Sequence, residues 1–105
     1  MANIIKPTKT KVFDAAEYLE SEADIQEFLK NATEEGDTKH LIHCLGVAAR
    51  AKGMTEVAQK AGVTRASLYK SLEDGANPKI DTIVKVLGVF GCKLSVIAEE
   101  SHNPA

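Results

Sequence analysis

A single glycine between two short helical runs constrains this chain more than any other feature. The stretch Met54–Leu72 reads MTEVAQKAGVTRASLYKSL. In its first run Val57, Ala58 and Ala61 recur at the one-, three- and four-residue spacings of a buried helix stripe. Gly62 follows where a helix end favours a residue that tolerates a left-handed backbone. Val63 can then tuck into a core, and Thr64 can cap the next helix by accepting a bond from a free amide. Leu68 and Leu72, four apart, bury one side of that second helix. Arg65, Ser67, Tyr69, Lys70 and Ser71 are left largely outside.

Two short helices joined by a tight glycine turn predict a helix-turn-helix, whose second helix lies in the major groove of DNA. Ala58 fits, because a small side chain lets the two helices cross closely. An ordinary helical hairpin in a small all-α domain would share these features, so charge has to separate the two. The formal charge of −2 hides an asymmetry. Residues 1–38 hold four lysines against nine acids, whereas 39–93 hold nine basic residues against four acids. A basic centre between acidic ends suits a domain that meets phosphate on one face. Lysines that merely solvate helix surfaces are the alternative.

At 105 residues the chain is expected to form one domain with appendages, large enough to bury a core. No apolar run approaches membrane-spanning length and no signal-peptide layout opens the chain, so a cytoplasmic protein without membrane contact is expected. Cys44 and Cys92 stand far apart and read as buried thiols. His40, His43 and Cys44 share a helix face, but two histidines and a thiol are too few for a closed zinc site. The expectation is therefore no metal and no cofactor. With no serine–histidine–acid grouping and no glycine-rich phosphate loop, the chain is not expected to be an enzyme.

Along the chain, residues 1–8 lack periodicity, and Thr10 to Phe13 alternates too briefly to assign. Asp14 to Leu19 predicts one or two helical turns, with Asp14 and Glu17 as a capping box. Ser21 or Asp24 restarts a helix with Ile25, Phe28, Leu29 and Ala32 on one face, ended by Gly36 and Asp37. Thr38 to Lys52 predicts a strong helix with Leu41, Ile42, Leu45, Ala48 and Ala49 inward. Gly46 inside it costs about 1 kcal/mol relative to alanine, which implies close approach of a neighbour. After a loop at residues 73–78, Lys79 to Phe90 is a further helix with Ile80, Ile83, Val84 and Leu87 inward, stopped by Gly91. Cys92, Leu94 and Val96 alternate with Lys93 and Ser95, which reads as a strand. A lone strand must pair, either with Thr10 to Phe13 or with a second subunit. The divisions are 1–37, an acidic helical extension; 38–91, the helix-turn-helix domain; and 92–105, a short strand and tail.

These residues also carry a resemblance. Phe13–Leu19 (FDAAEYL), Asp24-Ile25, Arg50–Thr55 (RAKGMT), Ala61–Arg65 (AGVTR), Ser67–Tyr69 (SLY) and Asn77-Pro78 together look like the addiction-module antidote family of HigA-like, prophage-type antitoxins. The match runs from about Val12 to Ile97. It implies an all-α, lambda-repressor-like, Xre-type helix-turn-helix fold with an N-terminal helical extension and a short C-terminal β-strand. It further implies an antitoxin that binds a small RelE- or HigB-like ribonuclease toxin and represses their shared promoter as a homodimer. A prophage-type repressor without a toxin partner is the alternative. Met54 departs from the wider Xre pattern, where many domains carry a glutamine that braces phosphate.

In the DNA-reading arrangement Thr64 and the free amides beside it meet a phosphate. Arg65, Ser67 and Lys70 face base edges or backbone; Arg65 is the candidate specificity residue, since its planar fork addresses O6 and N7 of guanine together. Tyr69 either reaches the DNA backbone through its hydroxyl or packs on Asn77-Pro78. Lys79 is a candidate clamp on a further phosphate, while Lys60 and Lys85 read as solvated surface. For the toxin, Glu17, Glu20, Glu22, Asp24 and Glu27 form an acidic stretch that complements a basic ribonuclease, or else a face that only aids solubility.

Overall fold

The computed structural model describes residues 19–34 and 37–99. Five helices follow in order: α1 (Glu22–Glu34), α2 (Thr38–Lys52), α3 (Met54–Ala61), α4 (Arg65–Leu72) and α5 (Ile80–Val89). Among the described residues there is no strand.

The central helix is α2, which packs against α1, α3 and α4, while α3 also packs on α4 and α5. Its start is fixed by Asp37, whose carboxylate accepts from the Lys39 amide at 3.0 Å. At its other end Arg50 and Lys52 lie where the helix dipole favours cations. Leu45, Ala48 and Ala49 are fully enclosed and Ile42 is buried. A methyl group on Gly46 would stand 3.2 Å from the Leu72 carbonyl oxygen, so this glycine is where the end of α4 closes on α2.

The start of α1 is a reciprocal cap. Asp24 accepts from the Glu20 and Ser21 amides at 3.2 Å, and Ser21 Oγ accepts from the Asp24 amide at 3.1 Å. Ile25, Leu29 and Ala32 of α1 join the core that Val57, Leu68, Val86 and Phe90 build from the other helices. The N-terminal helix therefore shares one core with the basic centre.

Three expectations need amendment. Leu19 lies before α1 and packs on the core outside any helix; the remaining residues of the predicted Asp14–Leu19 turns, like Thr10 to Phe13 and Gly36, lie outside the described residues. In α5 the inward face was misplaced: Ile80 is 70% and Val84 43% exposed, whereas Val86, Leu87 and Phe90 are buried and Ile83 half-buried. The apolar arc of the helix is wider than the part the core covers, so periodicity alone could not choose its inner side. Third, among the described residues Cys92 to Ile97 is in no strand: residues 92–99 carry no ladder there, Val96 is 96% exposed, and both expected partners, Thr10 to Phe13 and a second subunit, lie outside the described residues. The alternation reports which side chains share a side of an extended chain, not whether a neighbouring strand is present.

Candidate nucleic-acid interface

The candidate interface is built outward from the turn between α3 and α4. Gly62 adopts a left-handed backbone, φ 76° and ψ 30°. This lets its amide donate to the Gln59 carbonyl at 3.2 Å and the Val63 amide to the Ala58 carbonyl at 3.0 Å, the paired bonds of a Schellman motif. Val63 is drawn onto the core, and Thr64 turns extended to begin the next helix. Its Oγ1 accepts from the Ser67 amide at 3.0 Å.

From that start α4 buries Leu68 completely and Leu72 almost so. Arg65, Ser67, Tyr69 and Lys70 are exposed, as their spacing predicted, and so is the capping Thr64; Ser71, expected outside with them, is half-buried where the helix end closes on the loop. Arg65 Nη2 donates to the Tyr69 hydroxyl at 3.3 Å, and the guanidinium lies 5.4 Å from the ring centroid. Tyr69 thus partners Arg65 across one helical turn, an arrangement that neither expected role for its ring included.

Beside α4 lies a shallow groove of about 300 Å³ lined by Ser67, Lys70, Ser71, Glu73, Ala76, Asn77 and Pro78. It brings the end of α4 against the loop that follows. Lys79, the N-cap of α5, is exposed at the far side of this loop. Among the described residues neither Lys70 nor Lys79 forms an ion pair, whereas Lys60 pairs with Glu56 at 2.9 Å and Lys85 with Asp81 at 3.1 Å. Lys30, Lys39 and Lys93 are likewise without an ion pair among the described residues, so it is the position of Lys70 at the groove and of Lys79 at the loop that sets these two apart. Sequence reasoning placed Ser71 on the outer side of α4 but gave it no site role, although it stands four residues after Ser67. Glu73 and Asn77 had no such signal, because loop residues obey no period.

The acidic candidates separate. Glu17 lies outside the described residues. Asp24 is committed to capping α1, and Glu22 reaches toward the end of α5 at Gly91. There its charge adds to burial, the larger cause, in pushing the Cys92 thiol above its ordinary pKa. Glu20 and Glu27 are exposed, with no ion pair among the described residues.

His40, His43 and Cys44 do not converge. His43 Nδ1 lies 3.1 Å from Asp74 Oδ1 and so ties α2 to the loop after α4, while buried Cys44 Sγ sits 3.5 Å from His40 Nε2. Among the described residues no three histidine, cysteine or acidic side chains gather as a metal site, and no helix is long and apolar enough to cross a membrane. Met54, in the position noted as a departure, is buried at the start of α3.

The described fold is a small all-helical one with a capped, outward-facing helix beside unpaired cations. The family described as "Probable addiction module antidote protein" matches residues 9–98. A Haemophilus influenzae protein, described as uncharacterized, is 37% identical over 86 residues, covering 82% of this chain and 89% of its own. No solved structure matches the chain significantly. The chain belongs to the probable addiction-module antidote family, and membership implies a toxin partner in general terms.

Proposed function

We propose that the protein is the antitoxin of a type II toxin–antitoxin module, acting in the cytoplasm as a homodimer. It neutralises a RelE- or HigB-like ribonuclease by direct binding, and it represses its own operon by sequence-specific DNA binding. The DNA reader is an Xre-type, lambda-repressor-like helix-turn-helix made of α3 and α4. Its work is binding, with no catalytic step and no cofactor.

The observation that carries this reading is the outer face of α4. Leucines brace the helix from beneath, and Arg65, Ser67 and Lys70 face solvent. Thr64 and the first-turn amides would take a phosphate at the helix start. Lys70, in the groove, and Lys79, at the start of α5, would hold the strand as point charges. Arg65 would leave Tyr69 for a guanine edge, a rotation that gives up one exposed hydrogen bond and the contact over the ring. For the toxin, Glu20 and Glu27 are the described acidic candidates whose carboxylates stay exposed and unengaged.

The test is whether the neighbouring gene encodes a small basic protein, followed by co-expression of the two. Co-purification of the two, restored growth, and retention of the DNA upstream of the pair are expected. If that product is neither bound nor neutralised while DNA binding persists, the protein is a prophage-type repressor without a toxin. If DNA is also not bound at low salt, where electrostatic attraction is strongest, the helix-turn-helix assignment fails.

A further inference from the structure

The loop between α4 and α5 supplies one wall of the groove, so whatever sets that loop also sets the groove. Ala76, Asn77 and Pro78 line it from the loop, and Ser67 and Lys70 line it from α4. A hydroxyl, an ammonium and a side-chain amide are all donors to phosphate oxygens. Glu73 belongs to the same lining and opposes an anion there. Asp74, the next residue, is a second carboxylate, and turned inward it would add to that repulsion.

Asp74 is turned elsewhere. Its Oδ1 lies 3.1 Å from His43 Nδ1 on α2, and it is not part of the groove's lining. A carboxylate only accepts, so Nδ1 carries the shared proton and donates. Both side chains are exposed, 53% for His43 and 82% for Asp74, but they are fixed unequally. His43 precedes Cys44 and Leu45, which are in the core, so its end of the bond stands on a firmly packed helix. Asp74 belongs to a turn shaped from within. The Ala76 amide donates to the Glu73 carbonyl at 3.0 Å, and Gly75 takes φ 86°. These features close the turn without fastening it to a neighbour. Among the described residues, the His43–Asp74 bond is the side-chain hydrogen bond that joins residues 73–78 to another element.

We propose that His43 is a positioning residue for DNA binding: its bond to Asp74 holds the loop wall of the groove in place and keeps that carboxylate off a backbone phosphate seated at Lys70 and Asn77. The inference rests on the reading of α4 as the DNA reader, and it adds a residue on α2 that needs no contact with the duplex. Phosphate contacts fix a protein's register on DNA and carry no direct sequence information. Loss of His43 therefore weakens all duplexes alike, unlike loss of Arg65, which blunts the preference between them.

The test is fluorescence anisotropy on the upstream and scrambled duplexes over a range of salt, for wild type, His43→Ala and His43→Asn. The amide nitrogen of asparagine stands two bonds from Cβ, as Nδ1 does, so it can restore the bond without an imidazole. The site is exposed, and the helical far-UV spectrum should be unchanged in both variants. His43→Ala should weaken both duplexes by about two- to fivefold, the range an exposed pair can reach. Its salt slope should fall by up to about one, as for a lost phosphate contact. His43→Asn should recover most of both. Without DNA, hydrogen exchange at the Ala76 amide should be faster in His43→Ala and near wild type in His43→Asn. Wild-type affinity and slope in His43→Ala would overturn the positioning role. His43→Asn binding as weakly as His43→Ala would also overturn it, since the imidazole's ring or charge would then be what matters. Wild type that binds no duplex at low salt would overturn the DNA reading and this role with it. Unchanged Ala76 exchange in His43→Ala would overturn the hold on the loop by itself, whatever DNA does.

Discussion

Replacing Gly91 with alanine probes how α1 is held to the rest of the protein. Gly91 has φ 78°, and an added Cβ would stand 2.8 Å from Gln26 Nε2 and 2.9 Å from Glu22 Oε2. Both are ends of flexible side chains, so the backbone need not shift. The Gln26 amide, however, donates to the Phe90 carbonyl at 2.8 Å, and that bond must give way. An L-residue held left-handed costs about 1–2 kcal/mol, and the lost hydrogen bond about 0.5–1.5 kcal/mol. Together these give about 1.5–3.5 kcal/mol, a drop of roughly 0.5 M or more in the urea midpoint at a slope of about 1–3 kcal/mol/M. Gln26→Ala alone should cost only the bond. Added to Gly91→Ala it should cost almost nothing, so the two effects fall short of additivity by about the energy of that bond. A Gly91→Ala midpoint within about 0.3 M of wild type, or strict additivity, would refute this account of the junction.

Other perturbations separate stability from binding. Leu68→Ala empties a fully enclosed site and should cost about 2–5 kcal/mol by urea unfolding, taking DNA binding with it through loss of the fold. Thr64→Ala removes the cap on Ser67 and should cost about 0.5–2 kcal/mol in a thermal melt, with Thr64→Ser restoring most of it. The hydrogen bond from Lys60, helped by the charges of Lys60 and then Lys52, holds the Glu56 carboxyl below its ordinary 4.5. A depressed carboxyl stabilises the folded state above its unfolded pKa, and that increment fades as pH falls below 4.5 through the folded value. Proton titration by NMR should place Glu56 below 4.5, and Glu56→Gln should flatten the acid limb of the stability profile. A Glu56 midpoint at or above the ordinary value would contradict the pairing.

Much of the fold could be read from the chain because its signals are local. Gly62, Thr64 and the Leu68–Leu72 pair lie within eleven residues and fix the turn, the cap and the exposed face of α4 together. Gly46 also announced its close neighbour correctly, though not that the neighbour would be a carbonyl of α4. What escaped was long-range or ambiguous. The Gln26–Phe90 bond spans 64 residues and His43–Asp74 spans 31, and neither leaves a trace in composition or period. In α5 an apolar excess hid the inward arc, so Ile80 and Val84 were assigned to a core they do not reach. The alternation after Gly91 suggested a strand, but a strand's partner is not a property of one segment's sequence. For the candidate site, the residues on α4 were legible from helical spacing. The groove with Asn77 needed the fold of the following loop.

The central claim is that the outer face of α4 reads DNA. It is tested most directly by fluorescence anisotropy of the full-length protein on the duplex upstream of its gene and on a scrambled duplex, at several salt concentrations. The account predicts tighter binding to the upstream duplex, weakening as salt rises. It also predicts that Arg65→Ala loses about 1–3 kcal/mol of the preference between the two duplexes while its helical spectrum stays unchanged. Equal binding of wild type and Arg65→Ala to both duplexes across the salt range, or no binding by wild type even at low salt, would contradict it.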